Sequence, residues 1–164
     1  MLLTKSPLLP AGLIEDRFGF RYEVPDIREP IAFHLAIDGE YERETRELIF
    51  AHLSPAGVFV DIGANIGTFS IPVAQHVGTN GRVLAAEASP YVFPYLQRNV
   101  RRNAADRIEC VHSAVCDSDG WIPFYTAPKE HFGMGSMGAQ FNTNPLQVPA
   151  RTLDGILEEK ISLR

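Results

Sequence analysis

The stretch Val58-Phe59-Val60-Asp61-Ile62-Gly63-Ala64-Asn65-Ile66-Gly67-Thr68-Phe69-Ser70 decides how the rest of the chain is read. It opens on a short apolar, β-branched run, the mark of a strand buried on both faces. Gly63 breaks that run, and after Gly67 the chain can continue as a helix. A strand, a tight glycine turn and a helix make the first half of a βαβ unit. In open α/β sheets ligands sit outside the carboxyl ends of the strands, so Asp61 to Gly67 should border such a site.

Downstream the pattern repeats. Residues 82–87, Arg-Val-Leu-Ala-Ala-Glu, read as a second buried strand. Glu87 stands at its end, where one carboxylate can accept hydrogen bonds from both hydroxyls of a nucleoside ribose. Ser89-Pro90 suits a helix start, because serine caps and proline tolerates the first helical position. Pro72 and Pro94 fall inside the two expected helices, so each predicts a kink or a late start. Residues 108–115 read as a third strand with Ser113-Ala114 near its end, and residues 121–126 as a further one. Residues 127–144 form a loose segment whose glycines and methionines suit a mobile lid as well as an ordinary surface loop. His131 lies in it; a lone loop histidine is more often solvated than a general base. Residues 148–157 read as a strand followed by a helix, with Thr152 placed to cap it.

Upstream, two apolar stretches in residues 13–24 flank a polar turn at Asp16 to Gly19 and predict a β-hairpin. Residues 31–37 leave helix and strand open. Residues 40–53 carry apolar side chains at helical spacing, with Glu42 and Arg46 as a favourable i,i+4 pair on the charged face. Arg98, Arg101 and Arg102 complement the dipole at a helix C-terminus, or else form an anion-binding patch.

The turn Gly63-Ala64-Asn65-Ile66-Gly67 differs from the dinucleotide pattern G-x-G-x-x-G. Asn65 stands where the middle glycine would let backbone approach a pyrophosphate. This favours a nucleoside cofactor without pyrophosphate over NAD. The wording Asp-Ile-Gly-Ala-Asn-Ile-Gly at 61–67 resembles the FkbM-type S-adenosylmethionine-dependent methyltransferases. Ala-Val-x-Asp-x-x-Gly at 114–120 and Thr-Leu-Asp at 152–154 resemble that family too. The resemblance covers roughly residues 40–157. It implies an α/β fold, a Rossmann-like three-layer sandwich with a mainly parallel sheet. It also implies S-adenosylmethionine as cofactor and O-methylation of a small molecule or sugar hydroxyl. By the same resemblance Asp61, Gly63, Ala64 and Asn65 hold the methionine end and Gly67 completes the turn. Glu87 and Ala88 then take the ribose, and Ser113 and Ala114 pass the adenine. No residue of this sequence stands out as the base for an alcohol acceptor. A non-catalytic binding or assembly domain and a nicotinamide oxidoreductase are the alternatives.

The family's fourth central strand, with its acidic motif, has no counterpart before Arg164. Residues 1–39 therefore read as a leader, and 40–164 as a partial methyltransferase domain, the cofactor half. A sheet of strands ordered 3-2-1 would leave its first strand with an open edge. A missing C-terminal half or a homo-oligomer would cover it.

Composition bounds the remainder. The 164 residues suit one domain, and 45% apolar content is enough for a core. A net charge of −5 argues against gripping a polyanion by bulk electrostatics, although a local basic patch stays open, so no nucleic-acid partner is expected, and the small-molecule acceptor is what the resemblance implies. No apolar run reaches the roughly 20 residues of a membrane helix. Met1 to Pro10 is cut by Lys5, Pro7 and Pro10 and lacks a signal-peptide core, which points to the cytoplasm. Cys110 and Cys116 on an extended segment would be roughly 20 Å apart, too far for a disulfide. The five scattered histidines predict no metal site.

Overall fold

The computed structural model describes residues 12–160. The reading of Met1 to Pro10 as lacking a signal core lies outside those residues. The hairpin forms as expected: β1 (Gly12–Glu15) pairs antiparallel with β2 (Arg21–Val24). The Asp16 carboxylate closes the turn by accepting from the Phe18 and Phe20 amides, each at 2.9 Å. Residues 31–37 resolve as helix α1 (Pro30–Asp38). Its cap is Glu29, which accepts from the Ile31 and Ala32 amides at 2.8 and 3.2 Å. Helix α2 (Arg43–His52) buries no residue fully and packs through Ile49 and Phe50.

Three parallel strands carry the site: β3 (Val58–Ile62), β4 (Arg82–Glu87) and β5 (Ile108–His112), in the order β3-β4-β5. Among the described residues β3 pairs with β4 alone, so its far edge carries no strand. Helices α3 (Ser70–Val77) and α4 (Phe93–Arg102) cover one face, where Ile71, Val73, Val77, Leu96 and Val100 meet Val83 and Ala85 in the main core. Both prolines are absorbed by late starts. Pro72 is the third residue of α3 and Pro94 the second of α4, positions whose amides have no intrahelical partner anyway. Ser89 still acts at the approach to α4, accepting from the Val92 amide at 3.3 Å.

The expected third strand divides. It bends at Ser113, and residues 114–116 form β6 in a second sheet with β7 (Gly120–Phe124) and β8 (Leu146–Thr152). In that sheet β8 is central, parallel to β6 and antiparallel to β7. The apolar run was continuous, but the Ser113 hydroxyl lies 2.8 Å from the Ala114 carbonyl and 3.1 Å from that of Pro149, which turns the chain toward β8. Helix α5 (Leu153–Lys160) follows, with Thr152 accepting from the Gly155 amide at 3.2 Å as its cap. Ile156 of α5 packs on Leu84 and Val111, closing the other face of the parallel sheet. The result is an α/β fold with helices on both faces of a parallel sheet, as the sequence predicts.

Candidate ligand site at the carboxyl ends of the strands

The glycine turn leaves β3 and is held to its neighbour by two hydrogen bonds. The amides of Gly63 and Ala64 both donate to the Ala86 carbonyl at 2.9 Å. Gly67 then admits α3 and α4. Its φ is +94°, and a Cβ there would sit 3.0 Å from Ile71 and 3.1 Å from Leu96, so only glycine allows the approach. Asn65 also adopts a left-handed backbone, φ +52°, which asparagine tolerates better than most residues. That conformation aims the Asn65 amide at β4, where it donates to Glu87 Oε2 at 2.9 Å.

Glu87 is therefore held in place from both sides. The Ser89 amide donates to its Oε1 at 2.7 Å, and the residue is only 8% exposed. Burial raises its pKa, against the lowering pull of the amide hydrogen bonds, and the nearby Asp61 raises it further. Backbone amides occupy only part of the acceptor capacity of the two carboxylate oxygens, which leaves room for a ligand hydroxyl. Asp61 occupies a different place. Its Oδ2 accepts from Ser70 Oγ at 2.5 Å, so the carboxylate ties β3 to the first turn of α3, and burial raises its pKa.

A cavity of about 340 Å³ opens over these strand ends. Gly63, Asn65, Glu87, Ala88, Ser113 and Ala114 line it, six of the nine residues that sequence singled out. Asp61, Ala64 and Gly67 lie beneath it as turn and packing residues. Sequence reasoning had no cue for Ile62, Ser89 or Phe124 in the wall.

The loose segment supplies the opposite wall. A short 3-10 turn at Lys129–Met134 carries Phe132, 7% exposed, into the main core, and Gly133, Gly135, Ser136 and Met137 face the cavity. Gly133 presses between two older parts of the fold. A Cβ there would stand 2.9 Å from both Asn65 Nδ2 and Glu29 Oε1. The Gly133 amide also hydrogen-bonds the Glu29 carboxylate, whose pKa burial raises. His131 is exposed, stacks on Phe141 at 6.4 Å and lies outside the cavity lining.

The three clustered arginines show no common anion patch. Arg98 and Arg102 both pair with Glu23, at 3.0 and 3.3 Å. Cys110 and Cys116 are free. No group of three metal-ligating side chains occurs among the described residues, and no described helix is long and apolar enough to cross a membrane.

Comparison with known proteins gives the family level. Residues 16–122 match the model of the TRM5/TYW2 methyltransferase domain. Protein-L-isoaspartate O-methyltransferase of Caenorhabditis elegans is 28% identical over 90 residues, covering 53% of this chain and 40% of that protein. The structure of Methanocaldococcus jannaschii Trm5 in complex with adenosine superposes with a TM-score of 0.50 and 21% identity, covering 69% of this chain and 32% of that one. A tRNA methyltransferase from the same organism gives a TM-score of 0.50 and 22% identity, covering 68% and 31%. The chain thus spans well under half the length of these relatives.

Two expectations need correction. The family match is to TRM5/TYW2, so the FkbM likeness of the turn does not identify the family. Glycine-turn wording reports a backbone need that many nucleoside-binding folds share. The expectation of a small-molecule acceptor and no nucleic acid is overturned as well, because the similar structures include that of a tRNA methyltransferase. A net charge of −5 sums over the whole chain and says nothing about a local basic face.

Proposed function

The chain belongs to the TRM5/TYW2 methyltransferase domain family, and from that premise we propose that it is the cofactor-binding part of an S-adenosylmethionine-dependent RNA methyltransferase. The observation that carries this reading is Glu87, a nearly buried carboxylate fixed by two backbone amides on the wall of a cavity at the carboxyl ends of parallel strands. A ribose presents two vicinal hydroxyls to such a group.

The rest of the lining fits the same cofactor. Among the described residues no lysine or arginine lines the cavity. A dinucleotide would bring two phosphates into that uncompensated wall, whereas a sulfonium nucleoside is cationic. The volume, about 340 Å³, lies in the range of small-molecule sites. When bound, adenosylmethionine supplies a methyl group on a sulfonium leaving group. The chain's own part is to orient the nucleoside through Glu87, to support its adenine beside Ser113 and Ala114, and to exclude water with Phe124 and Phe132. The acceptor in this reading is a nucleotide of structured RNA, with tRNA favoured by the solved tRNA methyltransferase.

Isothermal calorimetry with adenosylmethionine and with NAD tests the cofactor. Heat from the first and none from the second is expected; the reverse would overturn the assignment. Transfer of radiolabelled methyl to bulk tRNA, measured against free sugars and phenols, tests the acceptor class. Label in the small molecules alone would reject RNA.

A further inference from the structure

The segment 131–147 carries chemistry that the cofactor does not use. Its base is fixed. Phe132 packs into the main core, and Tyr125 and Ser136 exchange backbone hydrogen bonds at 2.7 and 3.0 Å. Its crest is open to solvent: Met134, Met137, Gln140, Phe141 and Asn142 are exposed. His131 and Phe141 stand together there with ring planes only 12° apart. Phe141 and Asn142 also hold left-handed backbones, at φ +57° and +50°. A bulky side chain seldom adopts that conformation, and such strain concentrates at binding and switch regions. Charge marks the same stretch. Asp and Glu make up 20 of the 164 residues, yet none falls between Glu130 and Asp154. A polyanion that meets this crest therefore meets no carboxylate of the segment itself. Arg98 and Arg102 on α4, by contrast, are paired with Glu23.

Place says what would meet the crest. Gly133, Gly135, Ser136 and Met137 form one wall of the cavity, so the outer side of the same segment borders its mouth. The group that takes the methyl arrives beside that rim. This step rests on the proposed RNA acceptor. Bases inside a duplex are hidden by their stack, whereas unpaired bases are read by stacking on aromatic rings and by hydrogen bonds to their edges. The rings of His131 and Phe141 supply the first means. The amides of Gln140 and Asn142 supply the second, each able to donate and to accept. The segment lies beyond residues 16–122, so it stands outside what the family match covers.

We propose that the crest of segment 131–147 is the docking surface for an unpaired stretch of the acceptor RNA, with the His131–Phe141 ring pair as the platform on which a base beside the cavity stacks. Stacking of this kind needs a free base face, so the surface selects single-stranded or looped RNA over duplex.

Binding of a labelled single-stranded RNA, and of the same RNA annealed to its complement, is measured by fluorescence anisotropy. The proteins are the wild-type chain, a double variant His131→Ala with Phe141→Ala, and Phe141→Tyr. The single strand should bind more tightly than the duplex. The double variant should lose about tenfold in affinity for it, the effect of a lost stacked base, and Phe141→Tyr, which keeps the ring, less than about twofold. Affinity for S-adenosylhomocysteine and Tm should stay as in the wild type, because neither ring lines the cavity or enters the core. Ultraviolet cross-linking with peptide mapping should place the RNA on residues 131–147. Duplex bound as tightly as single strand, RNA affinity untouched by the double variant, or cross-links confined to another face would each overturn the docking surface and leave the RNA methyltransferase reading standing. Loss of S-adenosylhomocysteine together with RNA in the double variant would show that the rings only support the cavity wall, and would overturn it too. A wild-type chain that binds the cofactor product but no RNA refutes the RNA acceptor itself, and the surface with it.

Discussion

Two asparagines, the fully buried Asn99 and the half-buried Asn65, are treated in opposite ways. Asn99 is 0% exposed, and both ends of its amide are occupied. Its Oδ1 accepts from the Glu23 amide at 2.7 Å, and its Nδ2 donates to the carbonyls of Glu23 and Ile66 at 3.1 and 3.0 Å. Asn65, next in sequence to Ile66, has a buried oxygen with no partner. The first arrangement is complete without help and ties hairpin, helix and glycine turn together. The second is incomplete, and it lies in the cavity wall. The asparagine that builds the scaffold is satisfied by the chain itself, and the one in the cavity wall is left one bond short.

The contrast can be broken in five places. Asn99→Ala should have the largest effect, because it strands the Glu23 amide and two carbonyls at once. A loss of about 3 kcal/mol in denaturant unfolding is expected, or about 6–12 °C in Tm. Asn65→Gly in the ligand-free protein should shift stability by less than about 1 kcal/mol, since no bond made within the chain is removed. If the two changes cost the same, the distinction between scaffold and site fails.

Glu87→Ala comes next and acts on the ligand. Its loss should weaken adenosylhomocysteine by about 1–3 kcal/mol in calorimetry, the value of hydrogen bonds to a charged group. Unchanged affinity would remove Glu87 from the ribose.

Asp61→Asn should give a smaller effect with a definite pH signature. Burial raises the Asp61 pKa above its unfolded value, so ionisation opposes folding. Below the unfolded pKa both states are protonated and the group contributes nothing. As pH rises through the folded pKa the native state bears the full burial cost. The variant keeps an oxygen for Ser70, so its Tm should exceed the wild type's at neutral pH, and the gap should close as pH falls toward about 4. A gap that widens in acid would contradict the assignment. The smallest change is expected from Arg98→Ala, whose partly exposed pair with Glu23 should be worth less than about 1 kcal/mol in thermal unfolding.

The parallel sheet was legible because its strands are continuous apolar runs closed by turn residues. The line from Asp61 through the glycine turn to Glu87 was legible because few folds place an acid at the end of each of two such runs. Other features had no periodic signal. Ser113 bends an apolar segment through its own hydroxyl, and hydrophobic pattern alone does not report that bend. Glu29 caps α1 although glutamate is not a favoured cap, so residues 31–37 stayed open between helix and strand. Phe132 and Gly133 reach the site by a long-range contact that a glycine-rich stretch only hints at. The acceptor was misjudged for a different reason: a cofactor pocket constrains the nucleoside and leaves the methylated partner unspecified.

The dock of the hairpin on α4 has a consequence for how this chain can change over time. Asn99 on α4 and Asn103, the residue that caps the C-terminus of that helix, grip β2 through its peptide groups at Glu23 and Arg21. Peptide groups are the same whatever side chain they carry. Positions 21 and 23 are therefore free to drift through many residue types while the dock persists, and the two helix amides are not. Homologues that retain this hairpin should vary along the strand and stay fixed on the helix that reads its backbone.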